Sequence, residues 1–173
     1  MSLADKYLSF SGRLRRRDWW LLGILLMVVT TVLSQLAVYA LYGVNYTMFS
    51  NELDQIAKAT HLPSVGVQVL VGLLTLWPAL ALSAKRAHDR DKGATTVIVL
   101  IVLNTLLSYG SAIYNAYVGI DPQNPSLWMV VPGLISFVIM IFLLITLGFL
   151  DGTPDDNRFG PSPKAEPVDE TFA

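Results

Sequence analysis

The chain contains no cysteine. That excludes disulfides, thiolate metal sites and thiol-based catalysis, and it leaves the redox compartment open. Charge is scarce as well: Asp, Glu, Lys and Arg make up 14% of the residues, against roughly 25% in a soluble globular domain. Histidine occurs twice, as His61 and His88. The net charge of −1 leaves no basic surplus for holding a nucleic acid.

What the chain has in quantity is apolar surface. Hydrophobic residues account for 53% of its 173 positions, and the mean hydropathy is +0.52. Four runs, residues 19–43, 64–84, 94–118 and 127–150, hold no Asp, Glu, Lys, Arg or His. Crossing a hydrocarbon core of about 30 Å takes roughly 20 apolar residues in a helix. In lipid the backbone must satisfy its own hydrogen bonds, which favours helices over isolated strands. Four such runs cannot all be buried inside a soluble fold of this length. The expectation is an all-α polytopic membrane protein: one domain over residues 1–163, four transmembrane helices in a bundle, and an acidic, proline-bearing tail at 164–173 expected to be disordered. The first run follows basic residues, and Val38 with Ala40 resembles a cleavage site. It is nevertheless longer than the roughly 7–15 apolar residues of a signal peptide, so it reads as an uncleaved span.

The cations are distributed on one side. Lys6, Arg13, Arg15, Arg16 and Arg17 precede the first run; Lys85, Arg86, Arg90 and Lys92 lie between the second and third; Arg158 and Lys164 follow the fourth. Of the twelve Lys and Arg, only Lys58 falls in the opposite loops. Basic loops stay in the cytoplasm, so both termini are expected inside a bacterial cytoplasmic (inner) membrane. Trp19 and Trp20 would mark the inner boundary, with Tyr39, Tyr42, Tyr46 and Trp128 at the outer one.

In the first outer loop, Leu53, Ile56, Ala57 and Thr60 have helical spacing, which suits either a short surface helix or a solvated loop. The sequon Asn45-Tyr46-Thr47 lies close to the membrane and is read as chance, and residues 121–125 read as a turn. Within the third span, Asn104, Ser108, Ser111 and Asn115 share one helical face. Such a stripe fits interhelical hydrogen bonding or a solute path. Ala79, Ser83 and Ala87 form a small-residue face on the second span, and Pro78 and Pro132 are candidate kinks.

Three polar segments flank the basic side. Phe10, Gly12, Arg13, Arg16 or Arg17, and Trp20 fit F-x-G-R-x-x-R-x-x-[FY]-W. Arg86, His88 and Asp89 fit R-x-H-D, and Asn157, Phe159, Gly160 and Pro163 fit N-x-[FY]-G-x-x-P. With these three motifs in order, the chain resembles the DUF 805 family over residues 7–163. The resemblance implies a small bacterial inner-membrane protein of unknown function; it supplies no activity. One departure stands out: Arg90-Asp91-Lys92-Gly93-Ala94 follows the His-Asp pair, where members often carry Gly or Ser and then Trp.

The candidate anionic site comprises Arg13, Arg17, Arg86, His88, Asp89, Asn157 and Arg158. Three functions suit those residues. The arginines can attract anionic phospholipid headgroups at about 1 kcal/mol each, grip a phosphate bidentately, or pair structurally with Asp18, Asp89 and Asp91. Adjacent helical residues point about 100° apart, so His88 and Asp89 do not make a dyad by default. No nucleophile elbow, zinc spacing or phosphate-cradling glycine loop accompanies them. The sequence therefore leads to a non-enzymatic membrane protein with no cofactor and no metal. Its basic face would contact anionic lipid, a protein partner or a second copy, and not nucleic acid. A small transporter component using the Asn104–Asn115 stripe is the first alternative, and an enzyme acting on a phosphate-bearing lipid or nucleotide is the second. The orientation has a direct test, because a chain without cysteine accepts single-cysteine probes. A membrane-impermeant maleimide added to intact cells should label Lys58→Cys and spare Arg90→Cys; labelling of the second from outside inverts the topology.

Overall fold

A computed structural model describes residues 2–42, 54–118 and 127–163; the side chains of residues 42, 54–63, 118, 128 and 129 lie outside that description. Among the described residues five helices follow in order: α1 (Leu3–Leu8), α2 (Arg16–Tyr42), α3 (Asp54–Asp89), α4 (Thr95–Val118) and α5 (Leu127–Leu143). The last runs directly into a π-helical turn, Leu144–Phe149. Four segments, Arg16–Leu41, Ser64–Asp89, Thr95–Tyr117 and Val130–Phe149, are long and apolar enough to cross a membrane. Their side chains confirm the solvent they were built for: Leu70, Leu74, Leu106, Phe137 and Val138 all point outward, Leu74 with 79% of its surface free. An apolar exterior of that extent is the mark of a lipid-facing surface.

The helices pack in chain order, α2 on α3, α3 on α4 and α4 on α5. Among the described residues α5 meets α2 only through the π-helical turn. Helix α3 is longer than the apolar run it contains, beginning ten residues earlier at Asp54 and continuing through Pro63 and Pro78. The stretch around Ile56 and Thr60 is thus helical and continuous with the span, although Leu53 and the side chains of that face lie outside the described residues. So do the Asn45-Tyr46-Thr47 sequon, the turn at 121–125, the side chains of Tyr42, Tyr46 and Trp128, and the tail from residue 164.

Helix α1 is marked in the sequence by one local pattern alone. Ser2 caps the helix through its hydroxyl on the Asp5 N–H (3.1 Å), while the Asp5 carboxylate accepts from the Ser2 N–H (3.1 Å). Hydrogen bonds from the Ser2 hydroxyl and then its backbone hold the Asp5 carboxyl below its ordinary pKa. Six residues are too few for a helix to persist alone, and tertiary contacts hold this one. Lys85 of α3 donates to the carbonyls of Asp5, Lys6 (2.8 Å) and Ser9, satisfying the orphan acceptors at the helix C-terminus with a cation. The Tyr7 hydroxyl donates to the Leu22 carbonyl (3.1 Å), the Trp77 indole donates to the Leu8 carbonyl (3.1 Å), and Phe10 packs edge-on against Trp77. Burial raises the Tyr7 phenol's pKa.

Close-packed apolar side chains concentrate at the same end. Leu14, Leu22 and Leu82 form one cluster with Tyr7, Trp19 and Leu26 around it; Ala87, Val97 and Leu147 form a second with Trp19, Ile101 and Leu143. Farther along the bundle, α3 and α4 touch where the Tyr109 ring crosses Gly72. A Cβ at Gly72 would sit 1.5 Å from the Tyr109 hydroxyl. Gly72→Ala should therefore cost about 1–3 kcal/mol as an overpacking change, read as a lower melting temperature in detergent. The same substitution in a Tyr109→Ala background should cost close to nothing. An equal loss in both backgrounds would mean that the ring does not rest on this glycine.

Candidate functional site

The end of α3 explains how the three motifs come together. The helix stops in a Schellman arrangement: the Asp91 N–H bonds the His88 carbonyl and the Lys92 N–H bonds the Ala87 carbonyl, both at 3.0 Å. Asp91 takes the left-handed position that glycine usually fills, with φ of 54°. This leaves Lys85, Arg86 and Asp89 on the last turn facing inward, with Lys85 and Arg86 fully buried.

Asp89 is the centre. One carboxylate oxygen receives the Arg86 guanidinium, and the other lies 3.2 Å from Arg13 Nη2 and 3.3 Å from its Nε. The side chains of all three are at most 3% exposed. Two cations and one anion leave a surplus positive charge in a place water does not reach, an arrangement that is costly unless further acceptors complete it. Backbone carbonyls supply them. Arg13 donates to the carbonyls of Asp155 (2.7 Å), Thr153 (2.6 Å) and Gly160 (3.3 Å), and to the Thr153 hydroxyl (3.0 Å). Arg86 donates to the carbonyls of Leu147 (2.8 Å) and Leu150.

The end of the fourth span is what makes those last carbonyls available. The π-helical turn closes with the Leu150 N–H on the Ile145 carbonyl (3.1 Å), and the carbonyls beyond it have no intrahelical donor. Each carbonyl from Thr146 to Leu150 then accepts from a side chain: Thr146 from Arg90 (2.9 Å), Leu147 from Arg86, Gly148 from the Trp20 indole (3.0 Å), Phe149 from Arg16 (3.0 Å) and Leu150 from Arg86. Four of these five bonds come from three guanidinium groups, those of Arg16, Arg86 and Arg90, at the negative end of the fourth span, where a cation is favoured.

The post-helical segment closes over this lock. The Thr153 N–H and hydroxyl both donate to the Asp89 carbonyl (2.8 and 3.2 Å). Asn157 donates to the His88 carbonyl (2.9 Å) and to the Thr153 hydroxyl (3.0 Å), while its own oxygen accepts from the Phe159 N–H (2.9 Å). That turn lays the Phe159 ring flat on the His88 imidazole, with centroids 3.9 Å apart and planes 7° apart. His88 Nδ1 lies 3.3 Å from the Gly12 carbonyl, so His88 and Asp89 turn to different partners and form no dyad.

Of the residues expected from sequence, Arg13, Arg86, His88, Asp89 and Asn157 meet in this one place. The donors of Arg13 and Arg86 are turned onto the protein's own acceptors, so neither presents a face to an outside anion. Arg158 stands at the rim, 64% exposed, paired with Asp91 at 3.2 Å and lying over the Phe159 ring. Arg17 stands apart, 80% exposed, with only a loose contact to Asp18. Sequence reasoning missed Thr153, Lys85's capping role and the carbonyls of residues 146–150. Backbone acceptors leave no mark in a side-chain pattern.

The third-span stripe divides. The Asn104 carbonyl oxygen and the Ser111 hydroxyl are buried, as is the Ser136 hydroxyl of α5, and none has a hydrogen-bond partner among the described residues. Ser108 faces outward, and Asn115 is half-buried. A cavity of about 390 Å³ between α2, α3 and α4 is lined from α4 by Ile101, Thr105 and Tyr109 and by no member of the stripe.

The model of a family described as "protein of unknown function (DUF805)" matches residues 7–161. "Uncharacterized protein YiiR" of Escherichia coli (strain K12) is 29% identical over 161 residues, 92% of this chain and 89% of that one. "Inner membrane protein YhaH" of the same organism is 22% identical over 96% of this chain and 97% of its own length. "Inner membrane protein YhaI" is 24% identical over 71% of this chain and 93% of its own length. No solved structure matches.

The lock is open to a direct stability test. Asp89→Ala strands two buried guanidiniums and should cost about 3–5 kcal/mol. Gly152→Ala should approach that loss without changing any charge, since its Cβ would lie 1.9 Å from an Asp89 carboxylate oxygen and 2.8 Å from the Asp89 carbonyl. Unfolding in detergent measures both; a wild-type melting temperature for Gly152→Ala would show that the segment after the fourth span does not close on Asp89.

Proposed function

This chain belongs to the DUF805 family of proteins of unknown function, and on that premise we propose that it is a non-enzymatic binding protein of the bacterial inner membrane. Its basic end and both ends of the chain face the cytoplasm, and that face engages anionic lipid headgroups. The observation that carries this reading is the division of labour among the arginines. Arg13 and Arg86 are consumed inside the lock, whereas Arg17 and Arg158 stand outside it on a scaffold that the lock makes rigid. Arg16 and Arg17 open the first span, one turn before the Trp19–Trp20 pair, so their heads lie at the depth where lipid phosphates are found.

The imidazole and carboxylate nearest the centre are already engaged, His88 in a ring stack and Asp89 in two ion pairs, which favours binding over turnover. Each exposed cation near an anionic surface contributes about 1 kcal/mol, screened as ionic strength rises. Arg17→Gln should lower retention of phosphatidylglycerol in native mass spectrometry about fivefold, with a wild-type melting temperature. Retention unchanged by Arg17→Gln and by 0.5 M salt alike would reject the headgroup reading.

A further inference from the structure

Among the described residues, Arg15 is a partly buried cation that the lock leaves without a protein partner, whereas Lys92, also unpaired, is exposed to solvent. No hydrogen bond or ion pair among those residues meets the Arg15 guanidinium. It lies in the wall of a cleft of about 470 Å³ formed on one side by residues 12–15 and on the other by the turn at 159–163. Lys6 of α1 and Asp18 of α2 complete the lining. The Lys6 ammonium is 4.0 Å from the Asp18 carboxylate, a loose pairing that leaves most of its hydrogen-bonding capacity free. Arg13 contributes its side chain to the same wall with its charge already committed to Asp89.

From this geometry we propose that the cleft between residues 12–15 and 159–163 is a specific site for a phosphate group, with Arg15 as the bidentate ligand and Lys6 as the second cation. The chemistry is specific on three counts. A guanidinium removed from bulk water without a partner is unfavourable, and a phosphate oxygen pair matches its fork. Arg15 and Asp18 place the first turn of α2 on the cleft wall, so the positive end of a long helix adds to the attraction. The volume falls in the roughly 300–1,000 Å³ range of small-molecule sites, larger than a lone ion needs and suited to a phosphate carrying an organic group. Position then restricts the source. Asp18 on the cleft wall immediately precedes the Trp19–Trp20 pair in the chain, and α1, which carries Lys6, exposes Leu3 and Leu8, so a phospholipid headgroup and a soluble phosphate can both reach it.

This site rests on the headgroup reading above and sharpens it from a charged surface to one stoichiometric position. The two separate experimentally. The full chain in phosphatidylcholine nanodiscs is titrated with phosphatidylglycerol, followed by native mass spectrometry, and in parallel with inorganic phosphate, followed by calorimetry. The wild type should retain one anionic lipid, or one phosphate, per chain at 0.5 M salt. Arg15→Gln should weaken that binding about ten- to a hundredfold, the range for losing a charged hydrogen-bond pair, and Lys6→Gln should weaken it less. Arg17→Gln should affect only the salt-sensitive remainder. Loss confined to the lipid titration identifies a headgroup, loss confined to the phosphate titration a soluble ligand, and either supports the site. Full retention in both Arg15→Gln and Lys6→Gln overturns the cleft, even where Arg17→Gln still weakens lipid binding; retention in all three variants overturns both.

Discussion

Asp89 holds the molecule's basic end together because one carboxylate serves two guanidiniums where solvent is excluded. Such a triad is not stable by Coulomb attraction alone, since stripping water from three charges costs more than their mutual attraction returns unless every remaining donor is matched. The structure meets that condition with backbone. Thr153, Asp155 and Gly160 turn their carbonyls to Arg13, and Leu147 and Leu150 turn theirs to Arg86. The π-helical turn, the sharp stop of α3 and the turn that seats Phe159 on His88 all follow as geometric means to present those acceptors.

The consequence for function is a separation between structural and available charge. A sequence rich in arginine beside a membrane suggests a single electrostatic surface, yet the folded chain sorts its cations by partner. Lys85 ends α1, Arg86 and Arg13 hold Asp89, and Arg90 and Arg16 cap the fourth span. The remainder, together with the exposed part of Arg16, faces outward. Fixing the ends of α1, α2, α3 and the fourth span to one another also gives that outer set a defined spacing, which a set of loose loops would not have.

Farther along the bundle the constraint is weaker. The helices pack in chain order and present most of their apolar surface outward, so the positions of α2 and α5 relative to one another are set chiefly at the basic end. The buried oxygens of Asn104 and Ser111 on α4 and of Ser136 on α5 have no hydrogen-bond partner among the described residues. In lipid such groups are stable only when another polar group or a water reaches them.

The four spans were legible from the sequence because the bilayer imposes a length and forbids charge, two conditions that runs such as 94–118 display without reference to any other part of the chain. The three polar motifs were legible for a similar reason: they are local, and Arg13, Arg86 and Asp89 were singled out by their types and order. Whether those residues reach outward or inward was not, because a guanidinium beside a membrane has the same sequence signature whether it meets a headgroup or a carbonyl sixty residues away. Helix α1 escaped detection because six residues have no stability of their own and depend on Lys85, Tyr7 and Trp77. The sequence thus determined the solvent each segment lives in, through transfer energies that depend only on composition and length; tertiary structure alone decided which cation meets which acceptor, since that depends on backbone carbonyls whose direction is set by the fold.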